Sequence, residues 1–209
     1  MTTAPATERH LIVVDTETTG LDPHYAKVLE VAAVNVTTGE QLEFVPYFNR
    51  DHLITAQPEA LAVNRYYERR LFEHELDVKE TTEQAEKLHG MLTGNTLAGA
   101  NPHFDARVLR SFFRSWLPIG DDQTEPWHYR LADLSAYTAG ALGLPPTETP
   151  GLHRCCELLG VTNTRPHSAL GDALAAADCF TVLATAERER QALAEAIRAH
   201  GADASEQAS

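Results

Sequence analysis

The chain has 209 residues, of which 43% are hydrophobic and 22% charged, and its formal net charge is −13. From this length and composition we expect one folded domain with a substantial core and no second independent domain. The acidic charge argues against loose electrostatic attachment to long nucleic acid, unless some of the carboxylates are gathered into a cation site.

The N-terminal segment and the cysteines exclude several further classes. Met1 to Arg9 is polar and lacks the basic start and apolar run of a secretory signal, and no window approaches the roughly 18 apolar residues of a membrane span. We therefore predict a cytoplasmic protein without a membrane partner. The cysteines match neither a disulfide framework nor a zinc spacing, so we expect buried free thiols at Cys155, Cys156 and Cys179.

The N-terminal third predicts three strands in a meander. The run from His10 to Asp15 is apolar, rich in β-branched residues and followed by polar residues, which favours a central strand that ends in a loop. Residues 28–36 and 42–48 flank the polar segment 37–40, whose glycine suits a hairpin turn. Two antiparallel strands are therefore expected after the first.

The rest of the chain alternates between helix and strand. Helical spacing, caps and turn residues predict helices at 58–64, 66–72, 81–92, 104–116, 152–159 and 168–199, a strand at 96–100, and a strand–helix pair within 129–142. This order predicts a mixed sheet with helices on its faces and ligands at the C-terminal ends of its strands. We assign residues 8–200 to this domain and expect 201–209 to be a disordered tail.

Four carboxylates and one histidine stand at loops or at the ends of elements. Asp15 and Glu17 lie two residues apart after the first strand, so their side chains leave on the same side and can hold one cation. Asp105 follows a later strand, and His167 and Asp172 lie near the start of the last helix. Taken one at a time, each of these residues is explained by a structural role, in a solvated loop, as a helix cap or beside a helix dipole, as readily as by a catalytic role. Together they favour a catalytic site.

Carboxylates that converge at one edge of a sheet raise each other's pKa, and divalent cations relieve that repulsion. Oxygen ligands without thiolates favour Mg²⁺ or Mn²⁺, and two such ions about 3.5–4 Å apart can clamp the attacking and leaving oxygens of a phosphoryl displacement. We therefore expect two ions per site. Free histidine has a pKa of about 6.5 and can take a proton from the attacking water, and His167 is the candidate for this base.

Three segments resemble, in order and spacing, the exonuclease motifs of the DEDDh 3′–5′ exonucleases, which include the DnaQ-like proofreading subunits and RNase T. They are Asp15-Thr-Glu-Thr-Thr-Gly20, Asn101-Pro-His-Phe-Asp105 and His167-Ser-Ala-Leu-Gly-Asp172. The resemblance covers roughly residues 10–185. It implies an α/β, RNase H-like fold, in which a mixed five-stranded sheet, an antiparallel meander plus parallel strands, is flanked by helices.

The resemblance also implies roles for the site residues. Asp15 would bridge both metals, Glu17 and Asp172 would complete the site of the nucleophilic water, Asp105 would support the second metal, and His167 would be the general base. The residues implied to bind the terminal nucleotide are Thr16, Thr18, Thr19, Leu21, Ala60, Asn64, Asn101 and Phe104.

The activity implied by the resemblance is metal-dependent 3′–5′ hydrolysis of terminal phosphodiesters, at single-stranded 3′ ends of DNA or RNA, with release of nucleoside 5′-monophosphates. Within the same chemistry, the alternative is an RNase T-like or short-oligoribonucleotide exoribonuclease. From another class, the alternative is an exonuclease-like subunit that docks on a DNA polymerase. By analogy with RNase T, a homodimer is an alternative to a monomer. Asn64 departs from the proofreading subunits, which carry histidine at that place.

Two groups of arginines suggest contacts with the nucleic-acid backbone. Arg65, Arg69 and Arg70 cluster near the predicted substrate cleft. The second group recurs at helical spacing and is explained as well by a solvated helix face; its members are Arg107, Arg110 and Arg114.

Overall fold

The computed structural model describes residues 9–22 and 24–206. Within them the strands are β1 (Leu11–Thr18), β2 (Val28–Asn35), β3 (Gln41–Phe44), β4 (Thr96–Gly99) and β5 (Ala132–Asp133). The α-helices are α1 (Pro58–Val63), α2 (Val78–Leu92), α3 (Pro102–Trp116), α4 (Leu134–Leu142), α5 (Leu152–Leu159) and α6 (Ala169–Glu206). Short 3-10 helices lie at Arg50–Thr55, Leu71–Glu73 and Asp121–Gln123.

β1 is the central strand of a five-stranded sheet whose order is β3-β2-β1-β4-β5. β1, β2 and β3 form an antiparallel meander, whereas β4 is parallel to β1 and β5 is parallel to β4. The predicted mixed sheet, a meander plus parallel strands flanked by helices, is confirmed. The C-terminal ends of β1, β4 and β5 meet at one edge, where ligands of such sheets gather.

Successive residues of β1 face opposite sides of the sheet. Ile12 and Val14 belong to a buried cluster with α2 and α3, whereas Val13 belongs to a cluster with α5 and α6. A third cluster lies beside the start of β2 and includes Leu29 and Tyr66. Side chains of β1 therefore alternate between two cores, and this alternation continues into the functional site.

The start of α2 differs from the prediction. The helix begins at Val78 rather than Thr81 because Asp77 and Glu80 form a capping box before it. The Glu80 N–H donates to Asp77 Oδ1 at 2.8 Å, and the Asp77 N–H donates to Glu80 Oε2 at 3.0 Å.

The helix predicted at 66–72 is wrong, and the third strand is shorter than predicted. Arg65 and Arg70 have φ angles of 54° and 53°, a left-handed backbone that interrupts a helix, and only the 3-10 helix Leu71–Glu73 remains. β3 ends at Phe44 instead of residue 48.

The cysteines are not paired. Cys155 and Cys156 in α5 and Cys179 in α6 are free and buried, as predicted. Burial raises the pKa of each thiol, so all three act as small apolar core residues.

α6 is longer and more apolar than predicted. It continues to Glu206 instead of ending near residue 199, and residues 207–209 of the predicted tail lie outside the described residues. By length and composition alone, Ala169–Glu195 could cross a membrane, which contradicts the expectation that no segment would be apolar enough. In this fold 56% of its apolar window is buried, and α6 packs against β1 and β2 as a core helix.

Candidate metal-binding and catalytic site

Asp15 and Glu17 lie inside β1, which extends to Thr18 instead of ending at Asp15 as predicted. Because they continue the alternation that places Val13 towards α6, both carboxylates leave β1 on the α6 side. Glu17 is the register partner of Glu30 on β2, and a bulge follows it. The strand itself therefore fixes the separation of the two carboxylates.

Asp172, in the first turn of α6, completes a group of three carboxylates. One oxygen atom each of Asp15, Glu17 and Asp172 lies within 4.8 Å of the other two. Asn163, in the loop before α6, donates from Nδ2 to Asp172 Oδ1 at 2.5 Å. This hydrogen bond orients the Asp172 carboxylate so that Oδ2 faces the backbone of the preceding loop, where it accepts a hydrogen bond from the His167 N–H.

Asp105 lies on the other side of Asp15, outside this group of three. It occupies the first turn of α3, is 6% exposed, and accepts a hydrogen bond from Thr16 Oγ1 at 2.8 Å. Thr16 faces the α3 side because its neighbours Asp15 and Glu17 face α6. β1 thus places Asp15 between Asp105 and the pair formed by Glu17 and Asp172.

Burial and mutual repulsion raise the pKa of these carboxyl groups. Burial, and then the charges of Asp105, Glu17 and Asp172, hold the pKa of Asp15 well above its usual range. Burial raises the pKa of Glu17 to about 7, with a further rise from Asp172 and Glu30 that Arg69 partly offsets. Burial likewise raises the pKa of Asp105 to about 7, against the hydrogen bond from Thr16, and raises the pKa of Asp172.

This donor set fits divalent cations. Raised pKa values show that the protein alone does not compensate the negative charges, and a cation between the carboxylates would do so. All the candidate ligands are carboxylate oxygens, which Mg²⁺ and Mn²⁺ prefer.

His167 lies on the exposed loop that leads into α6, and its backbone is held on both sides. Its N–H donates to Asp172 Oδ2 at 3.3 Å, and its carbonyl oxygen accepts from Arg69 Nη1 at 3.0 Å. Its φ is 62°, a left-handed conformation that is uncommon for residues other than glycine. His167 and Asp172 line the same cavity beside α5. The structure therefore brings the predicted base next to the carboxylate group.

Gly171 allows this loop to lie close to α6. A Cβ atom built on Gly171 would lie 2.1 Å from the carbonyl oxygen of Arg165 and 2.7 Å from Ser168 Oγ. These distances are too short for any side chain, so only glycine permits the loop to reach the position in which the His167 N–H meets Asp172.

Arg69, one of the arginines predicted to contact the nucleic-acid backbone, lies in an internal ion pair with Glu30. Its Nη2 donates to Glu30 Oε1 at 2.5 Å, and Glu30 is 3% exposed. The other carboxylate oxygen of Glu30 accepts from the Ala169 N–H at 2.9 Å, at the first residue of α6. Arg69 also donates to the carbonyl oxygen of Asn64 at 3.3 Å. We call Glu30, Arg69 and their bonds to His167 and Ala169 the Glu30–Arg69 network.

Most of the other proposed phosphate-binding arginines also have acidic partners. Arg70 pairs with Glu73, and the two arginines at the later turns of α3 pair with acids of the following loop: Arg110 with Glu125 at 3.1 Å and Arg114 with Asp121 at 2.7 Å. Arg107, near the start of α3, instead lies 2.9 Å from His24 Nε2. Among the described residues no carboxylate pairs with Arg107 within 4.0 Å.

The threonines predicted to bind the terminal nucleotide use their hydroxyl groups within the protein. Thr16 donates to Asp105, Thr18 Oγ1 donates to the Gly20 carbonyl oxygen at 2.7 Å, and Thr19 Oγ1 accepts from the Lys27 N–H at 2.9 Å. All three threonines are buried. Their hydroxyl groups therefore shape the loop after β1.

The remaining predicted contact residues differ in their access to solvent. Leu21 is 78% exposed at the tip of this loop, Asn101 is exposed before α3, and Ala60 and Phe104 are half-buried. Asn64 is 1% exposed and donates from Nδ2 to the Thr18 carbonyl oxygen at 3.1 Å, while its Oδ1 has no partner among the described residues. Asn64 therefore lies behind the loop and not on its surface.

Sequence reasoning missed Glu30, Asn163 and Gly171. A single acid within the apolar run of β2 was a signal for Glu30, since such residues are rarely buried without a partner. The roles of Asn163 and Gly171 depend on contacts across the loop before α6; Gly171 stands in the third motif, but the motif alone does not show that the loop needs a glycine there.

The sequence profile of the RNase T exonuclease family matches residues 12–180. The PolC-type DNA polymerases III of Thermotoga petrophila and Thermotoga maritima are 24% and 25% identical to this chain over 170 residues. The matched segment is 81% of this chain and 11% of each polymerase.

Solved structures of exonuclease I have the same fold. E. coli exonuclease I in complex with a dT13 oligonucleotide gives a TM-score of 0.68 at 19% identity, over 88% of this chain and 42% of that chain. Exonuclease I from Methylocaldum szegediense gives 0.65 at 23% identity, over 88% of this chain and 41% of that chain. The predicted RNase H-like exonuclease fold is confirmed, and the chain spans less than half the length of these structures.

Proposed function

The chain belongs to the RNase T exonuclease family, and on that basis we propose that it hydrolyses phosphodiesters at the 3′ end of single-stranded nucleic acid and releases nucleoside 5′-monophosphates. The observation that carries the proposal is the group of three carboxylates, Asp15, Glu17 and Asp172, with Asp105 beside it. A protein gains nothing in stability from four acids with raised pKa values in one place, whereas a phosphoryl-transfer site needs them.

In this proposal the carboxylates hold two ions, Mg²⁺ or Mn²⁺. Asp15, Glu17 and Asp172 would hold one, and Asp15 and Asp105 would hold the other. The bound ions supply electrostatic stabilisation of the phosphate oxygens and of the attacking and leaving oxygens.

His167 takes the proton of the water that attacks the terminal phosphorus. A new bond forms between the water oxygen and phosphorus, the bond from phosphorus to the 3′ oxygen of the preceding nucleotide breaks, and that oxygen receives a proton from solvent. The exposed position of His167 supports this role, because its ring can reach solvent water. Asp172 and Arg69 position it by holding its N–H and its carbonyl oxygen.

The terminal nucleotide binds over the loop after β1. Leu21, Asn101, Phe104 and the half-buried Ala60 are accessible enough to contact it. Thr16, Thr18, Thr19 and Asn64 act indirectly, through the shape of the loop.

The decisive experiment is hydrolysis of matched 5′-labelled single-stranded DNA and RNA with Mg²⁺, with Mn²⁺ and with chelator. We expect a ladder that shortens from the 3′ end, requires the cation and disappears in Asp15→Ala. Asp178→Asn is the matched control, because Asp178 is an exposed acid of the same helix as Asp172. No hydrolysis by the wild-type protein with either ion would refute the proposal.

A polymerase partner is the second candidate, because the similar segment in the Thermotoga proteins belongs to polymerase chains. Co-purification with a DNA polymerase, combined with no hydrolysis, would favour a docking subunit. The DNA and RNA arms of the same assay distinguish a deoxyribonuclease from the RNase T-like alternative. Homodimerisation and a cytoplasmic location stay predictions.

A further inference from the structure

A cavity of about 230 Å³ lies beside the site, between the residues before β2, the segment after β3 and the exposed side of α3. We call it the aromatic cavity. Its rim carries Tyr47, Trp116 and Lys27, and Phe48 and Ser111 also line it. The proposed hydrolysis uses none of these residues.

Two aromatic rings that contact each other form one wall of the aromatic cavity. The rings of Tyr47 and Trp116 lie 6.3 Å apart and meet edge to face at 78°. Tyr47 is 45% exposed, yet its backbone N–H donates to Thr81 Oγ1 at 2.8 Å, so an exposed aromatic ring stands on a fixed backbone. Aromatic rings that are exposed and held in place bind the faces of nucleobases without regard to sequence.

The charge of the aromatic cavity suits a polyanion, although the chain as a whole is acidic. Among the described residues that line it, none carries a carboxylate, and Lys27 contributes a positive charge. Arg107, which precedes the lining residue Val108 on α3, adds a second cation without a carboxylate partner in the part of the chain that the structure describes. Both cations can lie near phosphates of a bound strand.

The aromatic cavity is directly connected to the loop that is proposed to bind the terminal nucleotide. The Lys27 N–H donates to Thr19 Oγ1 at 2.9 Å, and the Thr19 N–H donates to the Lys27 carbonyl oxygen at 2.9 Å. Thr19 lies four residues after Asp15, which is about 13 Å at a strand rise of about 3.3 Å per residue. An oligonucleotide with its 3′ end at the carboxylates would therefore pass Thr19 before it reaches Lys27 and the cavity.

We infer that the aromatic cavity binds a nucleobase of the substrate strand upstream of the 3′-terminal nucleotide. This inference rests on the proposed function and extends it, because it makes the enzyme selective for substrate length. A dinucleotide reaches only the carboxylate site, whereas a longer strand also places a base in the aromatic cavity, against the exposed ring of Tyr47.

Steady-state kinetics with dithymidylate and hexathymidylate tests the inference. We expect the wild-type protein to hydrolyse the hexanucleotide with a kcat/KM at least about tenfold higher, the effect of one additional stacked base. Tyr47→Leu removes one wall, and Ser111→Trp fills the cavity from the exposed side of α3. Each variant should bring the ratio of the two kcat/KM values close to one. Tyr129→Leu, which removes an exposed tyrosine before β5, is the control and should keep the wild-type ratio.

A binding measurement separates failure of this inference from failure of the proposed function. The probe is hexathymidylate with a hydrolysis-resistant methylphosphonate at its last linkage. The signal is the quenching of tryptophan fluorescence, and the part of the quenching that disappears in Trp116→Phe is assigned to Trp116. Quenching by the probe without any hydrolysis of natural strands would support the cavity and refute the activity. The inference would be overturned if the wild-type kcat/KM values for the hexanucleotide and the dinucleotide were nearly equal. It would also be overturned if their ratio stayed high in both Tyr47→Leu and Ser111→Trp.

Discussion

Replacement of Arg69 by methionine tests whether the Glu30–Arg69 network positions the catalytic loop. The variant removes the guanidinium from Glu30, which is 3% exposed, and from the carbonyl oxygen of His167. Loss of one partner from a buried ion pair costs about 3–5 kcal/mol, because the other charge stays buried and unpaired. The Arg69 side chain is 22% exposed, so water enters in its place and we expect a smaller cost than for a fully buried pair, about 2–3 kcal/mol.

Chemical denaturation and steady-state kinetics measure the two consequences. The free energy of unfolding should fall by about 2–3 kcal/mol, and kcat should fall more than KM rises, because the loop that carries His167 loses one of its two backbone anchors. The double variant Glu30→Gln/Arg69→Met should lose less stability than the sum of the two single variants, since no buried charge is left unpaired.

Arg70→Met is the matched control, because Arg70 pairs with the exposed Glu73 at the surface. Surface pairs contribute about 0–1 kcal/mol, so this variant should keep both stability and turnover. If Arg69→Met instead raised KM, reduced the salt dependence of KM and left kcat and stability unchanged, Arg69 would be a phosphate contact and the network would have no positioning role.

Three further outcomes follow from the site. His167→Ala should lower kcat by about 100-fold or more while metal affinity, measured by calorimetry, stays close to wild type; full activity would refute the role of His167 as base. Gly171→Ala should lower kcat with a smaller change in KM, because its Cβ would lie 2.1 Å from the Arg165 carbonyl oxygen and displace the loop; wild-type kinetics would show that the loop position is not needed. The raised pKa values of Glu17 and Asp105, about 7 in the folded protein, mean that their contribution to stability is fully present below about pH 4 and is lost as the pH rises through about 7. When chelator is present, the unfolding temperature should therefore fall as the pH rises from about 4 to about 7, and Mg²⁺ or Mn²⁺ should reduce this fall. An unfolding temperature that rises with pH in the presence of chelator would contradict the pKa shifts.

Short-range patterns predicted most of the fold. The apolar run of β1, the polar turn before β3 and the helical spacing of α3 depend on neighbouring residues, and each appears where it was predicted. The segment 66–72 did not, because Arg70 within it has a left-handed backbone and the neighbouring Arg69 makes distant contacts. One of these contacts joins Arg69 to Glu30, 39 residues away.

The functional site was also predicted only in part. Motif spacing predicted that Asp15, Glu17 and Asp172 would converge, and the structure brings them together. The hydrogen-bond partners of the individual side chains could not be predicted from the sequence. The threonines after Asp15 match a substrate-binding motif, yet their hydroxyl groups are satisfied within the protein, and only the folded loop reveals this.

The alternation of side chains along β1 has a consequence for folding kinetics. Asp15 and Glu17 meet α6 on one side of the strand, while Thr16 meets Asp105 of α3 on the other, so the site exists only after both helices have packed. The contacts that close it span 89 residues between Thr16 and Asp105 and 139 residues between Glu30 and Ala169. Contacts of such high sequence separation form slowly. Cation binding should therefore select the fully assembled state and slow unfolding more than it accelerates folding.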